Sequence, residues 1–575
     1  MGRFKIILEN LKTLRSFSLN RWRYLFWQMS EREKMKVAWL LVLAAALSFS
    51  LAGYEYWVRR HPAPAVGGRL VEGIVGEPRF LNPVLGTTNE VDRDLTTLLF
   101  AGLTKHNPEG RVVGDLAESF EVLERGRIYE FNLREGLFWP DGEPITSDDV
   151  IFTINVIQNP EYQSPLRSSW QGVRAEKLDE RRIRLTLNLP YQPFLENTTV
   201  GILPQHFWQA IQPQNFALAE LNIKPIGAGP YVLKKIVKGS QGSIRSLELK
   251  LNESYHGSAF VENIVIKFFA GENELFEAWR KGDIDAMGLF SARTAARVEE
   301  SGNAVLNTVE IPRYFAVFFN RVRTGNALNE LAVRRALAHA TPRERIVNEI
   351  LAGKARIQEG PLPPWYLAED AEYSRYEFDL ERARTILENA GWKDADGDGT
   401  REKAKKPLEF TLTTTDWPDL TQTASILQET WGEIGVRVNL DVIPVAAILE
   451  QVIRPRDYDI LLFGEVLGAN PDPFSFWHSS QVDDVGLNLS GYESSRVDTL
   501  LVEARQNVNE SERNKRYFEF QQIITRDLPA IFLYSPNYLY VLPKDIKGFT
   551  ARIVGTPSHR FENINDWYIK TKRVK

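Results

Sequence analysis

The sequence predicts an α/β protein of more than one lobe, preceded by a single transmembrane helix. Helical and strand patterns mix throughout the polar body, which is typical of α/β architecture. The chain has 575 residues, and the roughly 510 that follow the apolar segment exceed the usual size of one hydrophobic core. The third observation is the apolar segment itself, Val37–Tyr56, which carries no charged side chain before Glu55.

Residues 37–56 have the length that a helix needs to cross a bilayer, about 20 residues. The head before them, residues 1–36, is rich in Lys and Arg and has an apolar face with nearby Trp and Phe, so we expect it in the cytoplasm. A basic amphipathic helix on the lipid headgroups and a flexible basic tail that only fixes the topology are equally compatible with this pattern. Residues 57–67 have linker composition. The body is then expected outside the cell membrane, in the periplasm or at the cell surface. A cleaved signal peptide is the alternative, although its apolar core is shorter, about 7–15 residues.

Composition excludes several function classes. The net charge of −5 argues against a nucleic-acid partner, which would need a basic domain. The chain has no cysteine, so disulfides, a thiol nucleophile and a Cys-linked lipid are all excluded. It is rich in aromatic residues, with 14 Trp, 19 Tyr and 31 Phe, which either fill cores or line ligand clefts.

The body begins with a predicted strand at Gly68–Ile74 and a loop at residues 77–83, where two prolines prevent strand pairing. A cap at Thr146 or Ser147 predicts a helix that continues through Val156. Further predicted strands are Arg127–Leu133, Arg182–Leu189, Ser246–Asn252, Asn263–Phe269, Phe410–Thr414, Val436–Val442 and Tyr458–Phe463. Further predicted helices are Asp92–Leu99, Glu272–Lys281, Leu331–Ala340, Arg343–Ala352, Leu380–Ala390, Thr421–Ile434 and Val445–Ile453.

Eight motifs follow one another along the body. They are Leu81–Pro83, Tyr129–Leu133 with Phe138–Val150 (FWPDGEPITSDDV), Gly227–Tyr231 (GAGPY), Lys281–Ala286 (KGDIDA), Val333–Ala340 with Arg343–Ile346, Ala383–Trp392, Asn470–Trp477 (NPDPFSFW) and Leu528–Tyr534 (LPAIFLY). In this order they resemble the peptide/nickel-binding family of extracellular solute-binding proteins of ABC importers, family 5. The resemblance extends from about residue 68 to the end of the sequence.

The resemblance implies a periplasmic-binding-protein-like fold with two lobes that close on a ligand about a hinge. Lobe I would combine residues 68–308 with 537–575 and carry an extra subdomain at about 88–188, and lobe II would be residues 309–536. The implied partners are a peptide or similar small solute, an ABC transporter permease and, through the N-terminal helix, the membrane. A monomer without a cofactor or catalytic residues is expected.

The candidate ligand-binding residues lie in loops that the resemblance places near the cleft. They are Phe80, Asn82, Trp417, Glu465, Asn470, Asp472, Trp477 and His478. Loops on a rigid scaffold commonly carry binding groups. Structural roles compete with this reading: Asp472 could simply shape a turn, Trp477 could be core, and for Phe80 and Asn82 a structural role is favoured.

One position departs from the peptide binders of the family. They hold the α-amino group of the peptide with an Asp four residues before the Pro of this loop, where this chain has Ala469. Glu465 is a possible substitute, because an amine needs a nearby carboxylate. The departure leaves the class of ligand open even within the family.

An acidic segment, Asp394, Asp396 and Asp398 followed by Gly399, matches the start of a calcium loop. The twelfth position of that loop is Lys405 instead of the bidentate Glu. A polar turn is therefore favoured over a calcium site, and no metal is assigned.

Enzyme motifs for a nucleophilic serine, a zinc protease or a phosphate-binding loop are missing from the sequence. The main functional alternative is a tethered sensor or scaffold with the same fold. A cell-surface hydrolase that uses two carboxylates is a weaker alternative, since it needs a close carboxylate pair.

Overall fold

The computed structural model describes residues 30–58, 62–239, 242–289, 291–322, 327–363, 366, 372–468, 470–483 and 486–573. The chain forms two compact units, one made of Met1–Ala65 with Lys570–Lys575 and the other of Val66–Ile569. Residues 1–29 of the predicted head, and Ala469, lie outside the described residues.

The smaller unit contains the long helix Glu31–Val58. Within it, Lys34–Tyr54 has a mean hydropathy of 1.9 and is not buried against other protein. The helix is long and apolar enough to cross a membrane, a test that a signal sequence also passes. In the same unit, strands Pro62–Ala65 and Lys570–Arg573 pair in antiparallel fashion.

The first lobe of the larger unit is built on a seven-stranded mixed sheet. In spatial order its strands are Ala304–Val309, Tyr538–Pro543, Ala286–Leu289, Arg69–Val75, Asn263–Phe269, Ile244–Leu251 and Tyr231–Lys238. The early strand Arg69–Val75 is central and pairs in parallel with both neighbours. Its flanking strands come from distant parts of the sequence, so this sheet joins the start and the end of the body.

A four-stranded antiparallel sheet packs into the same hydrophobic core. Its strands are, in spatial order, Ala117–Leu123, Ile128–Leu133, Arg182–Thr186 and Arg174–Lys177. In the second strand Tyr129, Phe131 and Leu133 are buried while the residues between them are not, as the alternating sequence predicts. Helix Ser147–Gln158 covers this region, and its N-terminus has the full capping box that Thr146 and Asp149 form.

The second lobe is built on a six-stranded sheet. In spatial order its strands are Ala355–Ile357, Ala530–Pro536, Arg313–Phe319, Ile460–Val466, Glu409–Thr415 and Arg437–Ile443. Side chains of strand Arg313–Phe319 alternate between two cores: Val317 and Phe319 pack on one face, and Tyr314 and Phe318 on the other. Burial on both faces explains why this strand reads as a continuous apolar run.

The chain crosses between the two large sheets at two adjacent places. Strand Ala304–Val309 of the first lobe continues through residues 310–312 into Arg313–Phe319 of the second. Strand Ala530–Pro536 returns through Asn537 alone into Tyr538–Pro543. Such short connections between two packed bodies have the form of a hinge.

The remaining elements complete both lobes. The other helices are Glu90–Leu99, Arg167–Trp170, Gln205–Trp208, Pro213–Phe216, Glu272–Arg280, Ala292–Ser301, Leu331–His339, Arg343–Glu349, Leu380–Asn389, Pro418–Gly432, Phe474–Trp477, Ser495–Arg505 and Glu510–Asp527. Two short hairpins pair Thr104–His106 with Val112–Gly114 and Glu402–Lys403 with Lys406–Pro407.

Most predicted elements are present with shifted ends. The helix predicted from Thr421 begins earlier, at Pro418, because a proline is favourable in the first turn. The helix predicted at Val445–Ile453 is regular only as a π-helical segment, Leu449–Ile453. The predicted α/β class with more than one lobe is confirmed.

Candidate ligand-binding cleft

The candidate residue Asp472 takes part in a contact between the lobes. Its carboxylate accepts from Arg505 Nε at 2.8 Å and lies 2.7 Å from Arg505 Nη2, a two-pronged ion pair within the second lobe. From the first lobe, the Tyr191 hydroxyl donates to the same carboxylate at 3.3 Å. The Arg505 guanidinium also lies over the rings of Tyr191, at 5.0 Å, and Phe474, at 4.0 Å.

Asn470 makes a second contact between the lobes beside the first. Its amide donates to Gln192 Oε1 at 3.1 Å, and its carbonyl accepts from the Tyr366 hydroxyl at 3.0 Å. We call the group Tyr191, Gln192, Asn470, Asp472 and Arg505 the seam. The Tyr129 hydroxyl donates to the Tyr191 carbonyl at 2.8 Å and so fixes the first-lobe side of the seam.

Burial changes the pKa of Tyr191, the tyrosine of the seam. Removal from water, together with the Asp472 carboxylate, raises the pKa of Tyr191 to about 12. The hydroxyl therefore stays protonated and remains a donor at any physiological pH. Asp472 is thus already occupied by a cation and a hydroxyl in this conformation.

Glu465 and Trp477 come together inside the second lobe. Glu465 lies opposite Tyr314 in the strand register, and the Tyr314 hydroxyl bonds to its carboxyl. The Trp477 indole donates to the same hydroxyl at 3.2 Å. Glu465 is 3% exposed, and burial raises its pKa well above the ordinary value. In this conformation its carboxyl does not face solvent, and its role toward a ligand amine stays a prediction.

Three other candidates make local contacts. The Asn82 amide donates to Asn222 Oδ1 at 3.0 Å, and the side chain is fully buried. The Phe80 backbone amide donates to the Asp92 carboxylate at 3.0 Å. His478 stacks on Phe474 with ring centroids 4.1 Å apart and caps the turn at residues 479–481. These contacts describe a structural role, and ligand contact by these side chains stays a prediction.

Trp417 lies in a different place, beside the hinge. It lines a small cavity of about 30 Å³ together with Arg313, Asp419 and Tyr534. Residues of the first lobe, Ala292 and Leu539, complete the wall. We call Arg313, Trp417, Asp419 and Tyr534 the hinge pocket. Its tryptophan is 41% exposed, so an aromatic face remains available to solvent.

The acidic segment 394–399 folds as a tight turn. Asp394 accepts from the Gly397 amide at 2.7 Å and the Gly399 amide at 3.1 Å, and Asp398 accepts from the Thr400 amide at 2.7 Å. The three carboxylates lie close enough together to share an ion. Their backbone partners describe the favoured polar turn, and calcium binding stays untested.

A second group that could hold a metal lies within the first lobe. It contains His106, His559 and Glu562. The two imidazole rings are stacked, with centroids 4.3 Å apart and planes inclined by 21°. Nitrogen lone pairs lie in the ring plane, so two stacked rings do not direct their lone pairs at one ion. His106 instead bonds to Glu196 at 2.7 Å and Glu562 at 2.9 Å.

Comparison with known proteins decides the class of molecule. A model of bacterial extracellular solute-binding proteins, family 5, matches residues 111–485. The chain belongs to this family. This confirms the family assignment from the eight motifs and identifies the molecule as an extracellular solute-binding protein.

Individual relatives extend the match across both lobes. The solute-binding protein is 29% identical to the oligopeptide-binding protein AppA of Bacillus subtilis over 548 residues, covering 93% of this chain and 98% of the relative. The structure of that AppA in complex with a nonapeptide is similar with a TM-score of 0.68 at 28% identity, covering 88% of this chain and all of that one.

A second similar protein of known structure holds a solute other than a peptide. NikZ from Campylobacter jejuni, in complex with Ni(L-His), is also similar with a TM-score of 0.68 at 28% identity, covering 87% of this chain and 99% of that one. The two neighbours confirm the two-lobed fold of this solute-binding protein. They also show that proteins equally similar to it hold chemically different ligands.

Sequence reasoning missed Arg313, Asp419 and Tyr534 of the hinge pocket and Tyr191 and Arg505 of the seam. Tyr534 ends the motif LPAIFLY, and Asp419 lies two residues after Trp417, so these two were near predicted features. Arg313 and Arg505 gave no local signal, since each gains its partners only through the tertiary fold.

Proposed function

We propose that this solute-binding protein is anchored to the cell membrane, captures oligopeptides or a related solute between its two lobes, and delivers them to an ABC transporter. The observation that carries the proposal is the architecture of the larger unit. Two lobes are joined by two short adjacent crossings and meet again at the seam. A hinge with contacts across the lobes suits a protein that closes over a ligand.

The proposed lobes are residues 68–308 with 537–575, and residues 309–536. The crossings at 310–312 and Asn537 support these boundaries. Rotation about the two crossings would separate Tyr191 from Asp472 and Gln192 from Asn470 while leaving each lobe intact. The ligand would enter the open form, and closure would remake the seam.

Peptides are the proposed ligand class because of the similarity to AppA, whose structure holds a nonapeptide. Peptide backbones offer regular donors and acceptors, which polar and aromatic side chains of a cleft can match. The similarity to NikZ makes a nickel–histidine complex the second solute to test.

The proposed anchor is the helix Glu31–Val58, with the apolar stretch Lys34–Tyr54 in the bilayer. Sequencing of the N-terminus of the mature protein tests this. An intact N-terminus, with protein that stays in the membrane fraction after alkaline carbonate washing, is expected. A mature chain that begins after residue 50 would identify a cleaved signal peptide instead.

Ligand binding is tested with the full-length protein in lipid nanodiscs. Peptide pools of three to nine residues, and separately Ni²⁺ with L-histidine, are added while the unfolding temperature is measured. A ligand that binds only the native state stabilises it by RT ln(1 + [L]/Kd), about 2.7 kcal/mol at a hundredfold excess over Kd. A rise in unfolding temperature with peptides is expected.

Three results would contradict the proposal. A rise with the nickel–histidine mixture alone would change the ligand class. Cleaved peptides in the recovered pool would indicate a hydrolase. Peptide binding without transport in vesicles that also contain the partner permease would favour a sensor or scaffold.

A further inference from the structure

A short two-stranded sheet follows the proposed anchor helix along the chain. Strand Pro62–Ala65 pairs in antiparallel fashion with strand Lys570–Arg573, so that Ala65 lies opposite Lys570 and Pro62 opposite Arg573. We call these two strands the basic ribbon. The ribbon and the helix Glu31–Val58 belong to the same compact unit. The pairing therefore brings a distant segment of the sequence next to the place where the chain leaves the helix.

The length of the connection limits how far the ribbon can lie from the membrane. With the apolar stretch in the bilayer, four further residues after Tyr54 carry the helix to Val58, a rise of about 6 Å. The headgroup layer of one leaflet is roughly 5–8 Å thick, so the helix ends near its outer edge. Three residues separate Val58 from Pro62, and an extended chain of this length reaches at most about 14 Å. The ribbon therefore begins close to the lipid headgroups.

The ribbon carries positive charge that the protein does not neutralise. Lys570, Lys572 and Arg573 lie on the same short strand. The sequence has no Asp or Glu at residues 56–71 or 567–575. Lys570 and Lys572 are exposed, and neither side chain forms an ion pair or a hydrogen bond with another residue in the described part of the chain. Both ammonium groups are therefore available to an anionic partner.

The two lysines lie on the same face of the ribbon. Side chains alternate between the two faces along a strand, so residues 570 and 572 share one face. Residues that lie directly opposite each other in an antiparallel pair also share a face, and the residues opposite these lysines are Ala65 and Ala63. One face of the ribbon therefore presents two cations beside small apolar side chains, with no acidic residue across the strand.

Lysine and proline in the ribbon also have a purely structural explanation. Both residue types are common on exposed strand edges, where they prevent pairing with other chains. An isolated two-stranded sheet is, however, at best marginally stable in water. A partner that binds the lysines of the paired form would therefore stabilise the ribbon measurably, whereas edge protection predicts no dependence on a partner.

We propose that the basic ribbon binds anionic phospholipid headgroups at the outer surface of the membrane that holds the anchor helix. Headgroup phosphates are anionic hydrogen-bond acceptors, and lysine binds phosphate as a point charge. The contact keeps the residues that join the anchor to the body at the lipid surface. This inference rests on the proposed function, because it requires the helix Glu31–Val58 to remain in the bilayer.

The test measures hydrogen exchange of the ribbon amides in the full-length protein. The protein is placed in nanodiscs of phosphatidylcholine alone or of an equal mixture of phosphatidylcholine and phosphatidylglycerol, and fragments that contain Lys570–Arg573 are followed by mass spectrometry. Each lysine at an anionic surface contributes about a fivefold effect, so we expect exchange to be about 10- to 30-fold slower with the anionic lipid. At 1 M salt the difference should largely disappear, since the Debye length is then only about 3 Å.

Substitutions identify the groups that cause the difference. Lys570→Gln combined with Lys572→Gln should exchange at the same rate in both lipids, and replacing both lysines with arginine should keep the difference. Lys234→Gln with Lys235→Gln is the matched control, because it changes two exposed lysines on another edge strand, Tyr231–Lys238 of the first lobe. Each variant is compared with itself in two lipids, so a direct effect of the substitution on strand pairing cancels.

Equal exchange of the wild type in both lipids would overturn the inference, and protein that still remains in the nanodiscs would leave the proposed anchor in place. A lipid dependence that survives in the glutamine variant would also overturn it. Slower exchange that needs the partner permease in neutral nanodiscs would assign the ribbon to an acidic protein surface and exclude the lipid as its partner. If the glutamine variant does not form the ribbon, the salt dependence of the wild type still decides the question. Protein that does not stay in the nanodiscs at all would refute the anchor itself.

Discussion

The seam and the hinge pocket both lie where the lobes meet, but they differ in how their polar groups are satisfied. In the seam, the Asp472 carboxylate has both a two-pronged cation and a hydroxyl as partners. In the hinge pocket, Arg313 Nε is buried and has no hydrogen-bond partner among the described residues. The polar groups of the seam thus satisfy one another, whereas the hinge pocket retains one buried donor without a partner among the described residues.

Energetics explain why such a difference can persist. A satisfied buried pair contributes little net stability, but removing one partner leaves the other charge uncompensated. An unsatisfied donor already carries that penalty, so removing it relieves the folded state. Substitutions in the two regions should therefore have opposite signs in the ligand-free protein.

The largest expected effect follows from Asp472→Ala in the seam. It leaves Arg505 between two aromatic rings without its carboxylate, and the side chains are only 15% and 24% exposed. We expect the free energy of unfolding to fall by about 2–3 kcal/mol, somewhat less than for a fully buried pair. Urea denaturation of the ligand-free protein measures it, with Arg345→Gln, which changes an exposed arginine paired with Glu349 and Glu429, as the surface control. A loss of stability no larger than in the control would show that the seam does not stabilise the ligand-free protein.

The next largest effect should have the opposite sign. Arg313→Met keeps an unbranched apolar side chain in the hinge pocket and removes the guanidinium, whose buried Nε has no partner among the described residues. We expect the ligand-free protein to gain up to about 1 kcal/mol in the free energy of unfolding, or at least to lose none. A clear loss of stability in the same denaturation experiment would mean that Arg313 already has a stabilising partner within the chain.

A smaller loss is expected for Tyr191→Phe. The change removes one hydroxyl that donates to Asp472 at 3.3 Å and leaves the ring under the Arg505 guanidinium. We expect a loss of about 0.5–1 kcal/mol, the net contribution of one hydrogen bond. In a double-mutant cycle with Asp472→Ala the two losses should not add, because both substitutions remove the same bond. Full additivity would show that the tyrosine acts through another contact.

The sequence predicted the architecture better than the site. Alternation in Arg127–Leu133 and the cap at Thr146 depend on neighbouring residues, so both were recognisable and both are present. The sequence did not predict helices Ser495–Arg505 and Glu510–Asp527, although both pack into one hydrophobic core of the second lobe. Their amphipathic faces are mixed with many charged residues, which weakens the helical pattern.

The site was harder because its chemistry depends on distant pairs. Asp472 was predicted as a ligand contact, yet its partners Tyr191 and Arg505 lie 281 and 33 residues away. Glu465 was considered for a ligand amine, and the fold places it opposite Tyr314, 151 residues earlier. Loop position alone cannot tell a carboxylate that is free for a ligand from one that is used within the protein.

The smallest expected effect tests the acidic side of the hinge pocket. Burial, reinforced by Glu272, raises the pKa of Asp419 above its ordinary value despite the opposing charge of Arg293. A raised pKa in the folded state favours the protonated form, so this group contributes stability at low pH and loses it as the pH rises through the folded pKa. Asp419→Asn should therefore be slightly more stable than the wild type at pH 7, by less than about 0.5 kcal/mol.

The pH dependence is the sharper part of this prediction. As the pH falls toward the ordinary carboxyl range, the wild type takes up a proton at Asp419 in the folded state and the variant cannot. The stability difference should then shrink, as measured by urea midpoints between pH 7 and pH 5. A difference that grows on acidification would mean that the carboxylate is stabilised by a cation, and Arg293, whose charge opposes the rise in the pKa of Asp419, would be the group to examine.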